Sequence, residues 1–219
     1  MVKHRFAHVT TWVFDLDNTL YPPRYRLFDQ IEVKMTDWVM QALKVGRTEA
    51  NRLRHHYWQT YGTTLSGLMR EHGIDPGPYL TAVHDIDFSI LPRDPDLAQA
   101  ITALPGRRII YTNGGADYAE RVLAARGLSG RFDAIYGIEE AGFLPKPERG
   151  AFETVFAADG AATGGFAAAQ AAMFEDDPRN LRAPHDMGMR TVHVAEKPVP
   201  ALHIHHHTDD LTKFLQALV

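Results

Sequence analysis

Five short apolar, β-rich runs recur along the chain, at residues 8–14, 108–112, 132–136, 171–174 and 190–194. From the second onward, each is followed by a stretch with helical spacing. Residues 116–126 (ADYAERVLAAR) are stopped by Gly127, and residues 149–157 lead into a Gly- and Ala-rich DGAATGG turn. Strands that alternate with helices argue for a parallel sheet covered on both faces, so the spacing predicts an α/β fold. The rhythm breaks once. From about residue 24 to residue 88 there is no good strand but several amphipathic patterns, such as LFDQIEVKMTDWVMQAL, with Leu27, Ile31, Met35, Trp38, Val39 and Ala42 near one face. Open α/β sheets bind ligands beyond the carboxyl ends of their strands, so a helical insertion after the first strand is expected to sit over that edge as a cap. Pro92, Pro95 and Pro105 mark the return, which divides the chain into a core (residues 1–22 and 89–219) and a cap (residues 23–88).

Composition narrows the chemistry. The 219 residues are 45% hydrophobic and 23% charged, ordinary for a globular chain with a real core. A net charge of -4 gives no pull toward nucleic acid, so an anionic ligand must be held by a local positive centre. The absence of cysteine removes disulfides, thiolate metal sites and cysteine nucleophiles. The N-terminal stretch lacks the pattern of a secretory signal, and no apolar run approaches the roughly 18 residues of a membrane span. The expectation is a soluble cytoplasmic protein, monomer or homodimer, with no membrane partner.

Four polar clusters fall near the ends of predicted strands. They are Asp15 and Asp17 in VFDLDNTLYP, Thr112, Asn113 and Gly114 after RRIIY, Lys146 in LPKPE, and Glu175, Asp176 and Asp177 after AAMF. In an open α/β sheet such ends converge on one edge. Two aspartates two positions apart repel unless something positive lies between them. Hard oxygen ligands from Asp15, Asp176 and a backbone carbonyl suit Mg²⁺, and a partly neutralised Asp15 can approach an anionic phosphorus as a nucleophile. Asp17 is placed to protonate the leaving oxygen and then to deprotonate water. Thr112 offers a hydroxyl and Asn113 and Gly114 offer backbone N–H groups to phosphoryl oxygens, while Lys146 supplies positive charge.

FDLDNTL, TNG, KP and FEDDPRN, in that order and with a helical insertion after the first, resemble the haloacid dehalogenase (HAD) superfamily of aspartate-nucleophile phosphatases, over nearly the whole chain. The resemblance implies a Rossmann-like core with an inserted helical (C1-type) cap and a Mg²⁺-dependent phosphomonoesterase working through an aspartyl-phosphate. It implies Asp15 as nucleophile, Asp17 as acid/base whose backbone carbonyl also binds the metal, Asp176 as principal acidic ligand, and Glu175 and Asn180 at or behind it. Dehalogenases of the superfamily lack the second aspartate, so Asp17 argues for a phosphatase. DNTLYP, YGTTLSGL (residues 61–68) and VHDIDFSIL (residues 83–91) resemble the pyrimidine 5′-nucleotidase branch, which implies a nucleoside monophosphate such as UMP or CMP. Alternatives on the same scaffold are a sugar-phosphate or phosphoglycolate-type phosphatase, or a non-catalytic binding protein.

Each piece also has a plainer reading. Asp15 and Asp17 pass as turn and capping residues, Thr112 and Asn113 as a turn, Lys146 as a solvated loop lysine, and the acids at 175–177 as helix caps. Thr63, Thr64, His84 and Asp85 are candidate substrate contacts by resemblance, and Tyr25 and Phe28 candidates for stacking on a base. The first four are equally open to cap packing and turn capping, and aromatics at helical spacing are more often core. The run HIHHH at residues 203–207 reads as native extended sequence whose neighbouring side chains alternate between faces.

Overall fold

The computed structural model describes residues 2–219. A short helix α1 (Lys3–Phe6) precedes strand β1 (Thr11–Phe14), and five helices follow before the next strand: α2 (Leu27–Leu43), α3 (Arg47–Tyr61), α4 (Thr64–His72), α5 (Pro76–Val83) and α6 (Pro95–Ala103). Then come β2 (Arg107–Tyr111), α7 (Ala116–Arg126), β3 (Ala134–Tyr136), α8 (Arg149–Thr163), β4 (Ala171–Glu175), α9 (Arg182–Asp186), β5 (Arg190–Val194), β6 (His206–Thr208) and α10 (Leu211–Gln216). The six strands form one sheet in the order β3-β2-β1-β4-β5-β6, parallel throughout. The chain builds outward from β1 through β2 and β3, then returns to the other side of β1 with β4. That reversal leaves a crevice at the carboxyl ends of β1 and β4.

All four residues of β1 are buried, as a central parallel strand covered on both faces requires. Its side chains alternate between two cores. Trp12 and Phe14 join Phe174 and Val192, with the Phe14 and Phe174 rings stacked at 4.7 Å. Val13 joins Ile109, Tyr111 and Met173, against Phe152 and Val155 of α8. In the insertion α2 packs on α3 and α5, and α3 on α4. The α3–α4 contact depends on Gly67, where an added Cβ would meet the Tyr57 Cγ at 2.2 Å.

The structure departs from the sequence reading in five places. Strand β1 begins at Thr11 rather than residue 8, because residues 3–6 coil into α1 and His8 is exposed. Helix α8 runs through DGAAT to Thr163 instead of yielding to a turn. Asp159, a poor helix former, is fully buried there and accepts from Arg107 Nη1 at 2.7 Å and Tyr136 Oη at 2.8 Å, so tertiary contacts override propensity. The helix stops at Gly164, whose φ of 86° opens the turn. On α2, Ala42 is exposed and Thr36 takes the buried place, donating to Glu32 O and Asn51 Oδ1. The sixth strand lies inside the histidine run, pairing His206 with Val192 and His207 with His193. Lys146 does not sit at a strand end. Strand β3 closes at Tyr136, and the lysine belongs to the long loop before α8.

Candidate active site

Strand register creates the crowding at the crevice. Phe14 pairs with Phe174, so the next residues, Asp15 and Glu175, are lateral neighbours, and the two-residue period of the strands puts both on one face. The Asp15 N–H donates to Phe174 O at 2.9 Å and continues the ladder. Lys146 enters between the two acids. Its Nζ donates to Asp15 Oδ1 at 2.7 Å, to Glu175 Oε2 at 2.7 Å and to Tyr111 O at 3.0 Å, on a side chain only 1% exposed. Burial alone pulls the ammonium's pKa down, but the two carboxylates outweigh it and hold the lysine charged, well above its ordinary value.

Asn113 fixes the loop that delivers Lys146. Its Oδ1 accepts the Lys146 N–H at 2.8 Å and its Nδ2 donates to Lys146 O at 3.1 Å. Thr112 is buried, and its Oγ1 accepts the Gly114 N–H at 3.0 Å, so that N–H is engaged within the turn. Thr112, Asn113 and Gly114 all line the same cavity as Asp15 and Lys146.

Asp15, Glu175 and Asp176 each bring a carboxylate oxygen within 4.8 Å of the others. Burial, then Glu175 and Asp15, push the Asp176 carboxyl well above the ordinary range. Burial, then Asp15, raise Glu175 against the pull of Lys146. Three carboxylates face one ammonium, and among the described residues that ammonium pairs with Asp15 and Glu175 only. An all-oxygen set with uncompensated negative charge fits a hard divalent cation such as Mg²⁺. Asp177 is outside this group: its carboxylate accepts the Arg179 N–H at 2.9 Å and forks with the Arg179 guanidinium. Two histidines hold the acidic loop by its carbonyls, His193, which the sequence reading missed, with Nε2 on Asp176 O at 2.9 Å, and His203 of the histidine run with Nε2 on Pro178 O at 2.8 Å.

Asp17 stands apart from the carboxylate cluster. Its Oδ1 accepts from Tyr21 Oη and Tyr118 Oη, each at 2.5 Å. Burial, then the Asp15 charge, push its carboxyl up to about 6 although both phenols pull the other way. A pKa there suits a group that gives a proton and then takes one. Tyr21 is four residues from Asp17 in the turn after β1 and readable as a neighbour, whereas Tyr118 is 101 residues away and carries no local signal.

The Tyr118 ring stacks on His84 at 4.1 Å. Burial, then Arg121, push the His84 imidazole down to about 4 from 6.5. Above pH 6.5 neither folded nor unfolded chain carries that charge. As pH falls from 6.5 toward 4, the unfolded chain binds a proton the folded one refuses, and stability drops. Denaturation of the wild type and of His84→Gln across this range is expected to show the wild type losing its advantage as pH falls; a constant difference contradicts a neutral buried His84.

A cavity of about 990 Å³ joins the carboxylates to the insertion helices. Phe28, Thr63, Thr64 and His84 line it, while Thr63 also caps α4 by accepting the Ser66 N–H. Asp85 and Tyr25 do not line it. Asp85 is exposed beside Lys34 at 3.6 Å, and the Tyr25 ring packs under Arg126 at 5.5 Å. Among the described residues no helix is long and apolar enough to cross a membrane.

The order of strands, the two aspartates leaving β1 and the acids leaving β4 agree with a sequence-family comparison, in which the haloacid dehalogenase-like hydrolases match residues 9–188. The chain belongs to this hydrolase family. It is 28% identical over 202 residues to Phosphate metabolism protein 8 of Saccharomyces cerevisiae, covering 84% of this chain and 61% of the length of that curated relative. Among solved structures, a HAD phosphatase from Thermococcus onnurineus superposes with a TM-score of 0.62 at 15% identity, over 96% of this chain and 98% of the other. Bacillus subtilis YfnB bound to magnesium gives 0.59 at 18%, over 96% and 98%. Solved L-2-haloacid dehalogenases share the fold as well. At these identities the structures speak for the fold alone.

Proposed function

We propose that this HAD-like hydrolase is a Mg²⁺-dependent phosphomonoesterase that works through an aspartyl-phosphate, with residues 23–88 acting as a cap over a core of residues 1–22 and 89–219. The observation that carries the reading is the division between two aspartates of one loop. Asp15 lies in a three-carboxylate pocket around a buried ammonium, and Asp17 is held outside it by two phenols with a pKa near 6. By the family resemblance, dehalogenases of the superfamily lack this second aspartate, and a halide leaving group needs no proton donor.

In this reading Asp15, the Asp17 backbone carbonyl and Asp176 hold Mg²⁺, which when bound supplies a Lewis acid against the phosphoryl charge. A carboxylate oxygen of Asp15 attacks phosphorus as the ester P–O bond breaks, and Asp17 gives its proton to the departing alkoxide. Water then attacks the phosphorus of phospho-Asp15, Asp17 takes the proton, and inorganic phosphate leaves with the Asp15 carboxylate restored. Lys146 keeps Asp15 in place and offsets the charge of the phosphoryl group, assisted by the Thr112 hydroxyl and the backbone N–H of Asn113, while the Gly114 N–H orients Thr112. The cap excludes water until the phospho-aspartate forms.

The substrate class we infer is a pyrimidine nucleoside 5′-monophosphate. Support comes from DNTLYP, YGTTLSGL and VHDIDFSIL, from a cavity far larger than a phosphate group, and from a relative named for phosphate metabolism. Phosphate release measured across UMP, CMP, sugar phosphates and phosphoglycolate is expected to be fastest with UMP or CMP. Preference for a sugar phosphate or phosphoglycolate overturns the nucleotidase assignment and leaves the phosphatase standing.

A further inference from the structure

The cavity extends away from Asp15 between α2, α3 and α5, where its wall carries two polar groups that the reaction does not use. Arg54 lines it with a side chain 14% exposed. The guanidinium Nη1 donates to Thr36 Oγ1 at 2.7 Å and Nη2 lies 3.4 Å from Glu32 Oε1, yet the buried Nε–H has no partner among the described residues. Tyr79 also lines the cavity, 3% exposed, its ring edge-on to Trp38 at 5.1 Å. Its hydroxyl is buried and has no hydrogen-bond partner among the described residues. Thr64 is near enough to influence the phenol without reaching hydrogen-bond geometry, and the Arg54 charge acts on it too.

A buried polar group without a partner destabilises a fold, and most find one; of the partnerless buried side-chain atoms among the described residues, only Arg54 Nε and the Tyr79 hydroxyl belong to residues that line this cavity. Arginine has five donors and no acceptor; Glu32 and Asn51 line the same wall, but they face Arg54 Nη2 and Thr36 Oγ1 and leave the Arg54 Nε–H and the Tyr79 hydroxyl as donors without a partner. Phe28, Met35, Leu80 and Val83 give it apolar walls, better suited to a planar ring than to a polyhydroxylated sugar. We propose that Arg54 and Tyr79 form a second subsite, within the helical insertion, that receives a hydrogen-bond acceptor on the alcohol portion of the substrate: a base carbonyl oxygen or a carboxylate. The inference rests on the phosphomonoesterase reading and names the part of the ester that the insertion recognises.

Tyr79→Phe is the cleanest test, because it deletes one oxygen that has no partner in the free protein. Thermal stability is expected to hold or rise, while the ratio of kcat/KM for UMP to that for ribose 5-phosphate, which lacks the base, falls about tenfold or more. Arg54→Met is expected to lower the same ratio. Calorimetric binding of UMP to Asp15→Asn and to Asp15→Asn with Tyr79→Phe gives a readout independent of turnover, and the second protein is expected to bind more weakly by a similar factor. If the phosphoglycolate ratio falls in place of the UMP ratio, the subsite stands with a carboxylate as its acceptor. Unchanged ratios for both, or a lower melting temperature with all esters failing in parallel, overturns the subsite. A wild type that binds UMP through Tyr79 but releases phosphate from no ester refutes the phosphatase reading and keeps the subsite; a wild type that neither binds nor hydrolyses UMP or phosphoglycolate overturns both.

Discussion

Asp15→Asn is expected to reduce phosphate release from a generic aryl phosphate by on the order of 10⁴-fold or more, the scale on which losing a covalent nucleophile is felt. The substitution keeps shape but exchanges one acceptor for a donor: the amide oxygen can face Lys146 Nζ, which donates to Asp15 Oδ1 at 2.7 Å, while the Thr19 hydroxyl, which donates to Oδ2 at 3.0 Å, can rotate to accept from the amide NH₂. It also removes one negative charge from a pocket where Glu175 and Asp176 are already pushed toward protonation by burial and by one another. The variant should therefore fold with a melting temperature close to that of the wild type. Activity measured beside thermal unfolding checks both halves; an unfolded variant, or one that retains full activity, speaks against the assignment.

Lys146→Met is expected to damage stability and chemistry together. The methionine is of similar length and leaves little void, but it abandons Asp15 and Glu175 as buried lateral neighbours with no cation between them. Removing one member of a buried ion pair costs about 3–5 kcal/mol, because the remaining charge keeps its desolvation penalty without its partner. Saturating Mg²⁺ is expected to restore part of that loss by standing in for the ammonium, and none of the phosphate release, since the charge opposite the phosphoryl group is still missing. Urea unfolding with and without Mg²⁺ reads the effect. A loss below about 1 kcal/mol would mean that the two acids are protonated rather than paired.

The alternation of apolar runs with helical stretches is enough to read five of the six strands, and α7 keeps its expected bounds because Gly127, at φ 73°, ends it in the sequence as in the structure. The meeting of the strand ends at one edge was legible from the α/β pattern itself. What local sequence could not carry were contacts between distant segments. Tyr118 is one more residue on an amphipathic helix until the fold sets it against Asp17. Glu175 stands at or behind the metal by resemblance alone, and only the β1–β4 register shows it as the neighbour of Asp15 and the partner of Lys146. Strand β6 has no apolar pattern and exists through its pairing with β5, and the burial of Asp159 keeps α8 helical past the point where its composition reads as a turn.

Those roles meet in a single covalent species. Wild-type protein mixed with Mg²⁺ and an aryl phosphate, quenched in acid during turnover and analysed by peptide mass spectrometry, is predicted to carry one phosphoryl group on Asp15. The adduct should be absent without Mg²⁺ and absent from Asp15→Asn. Turnover with no phosphorylated peptide, or with the phosphoryl group on another residue, would contradict Asp15 as the nucleophile.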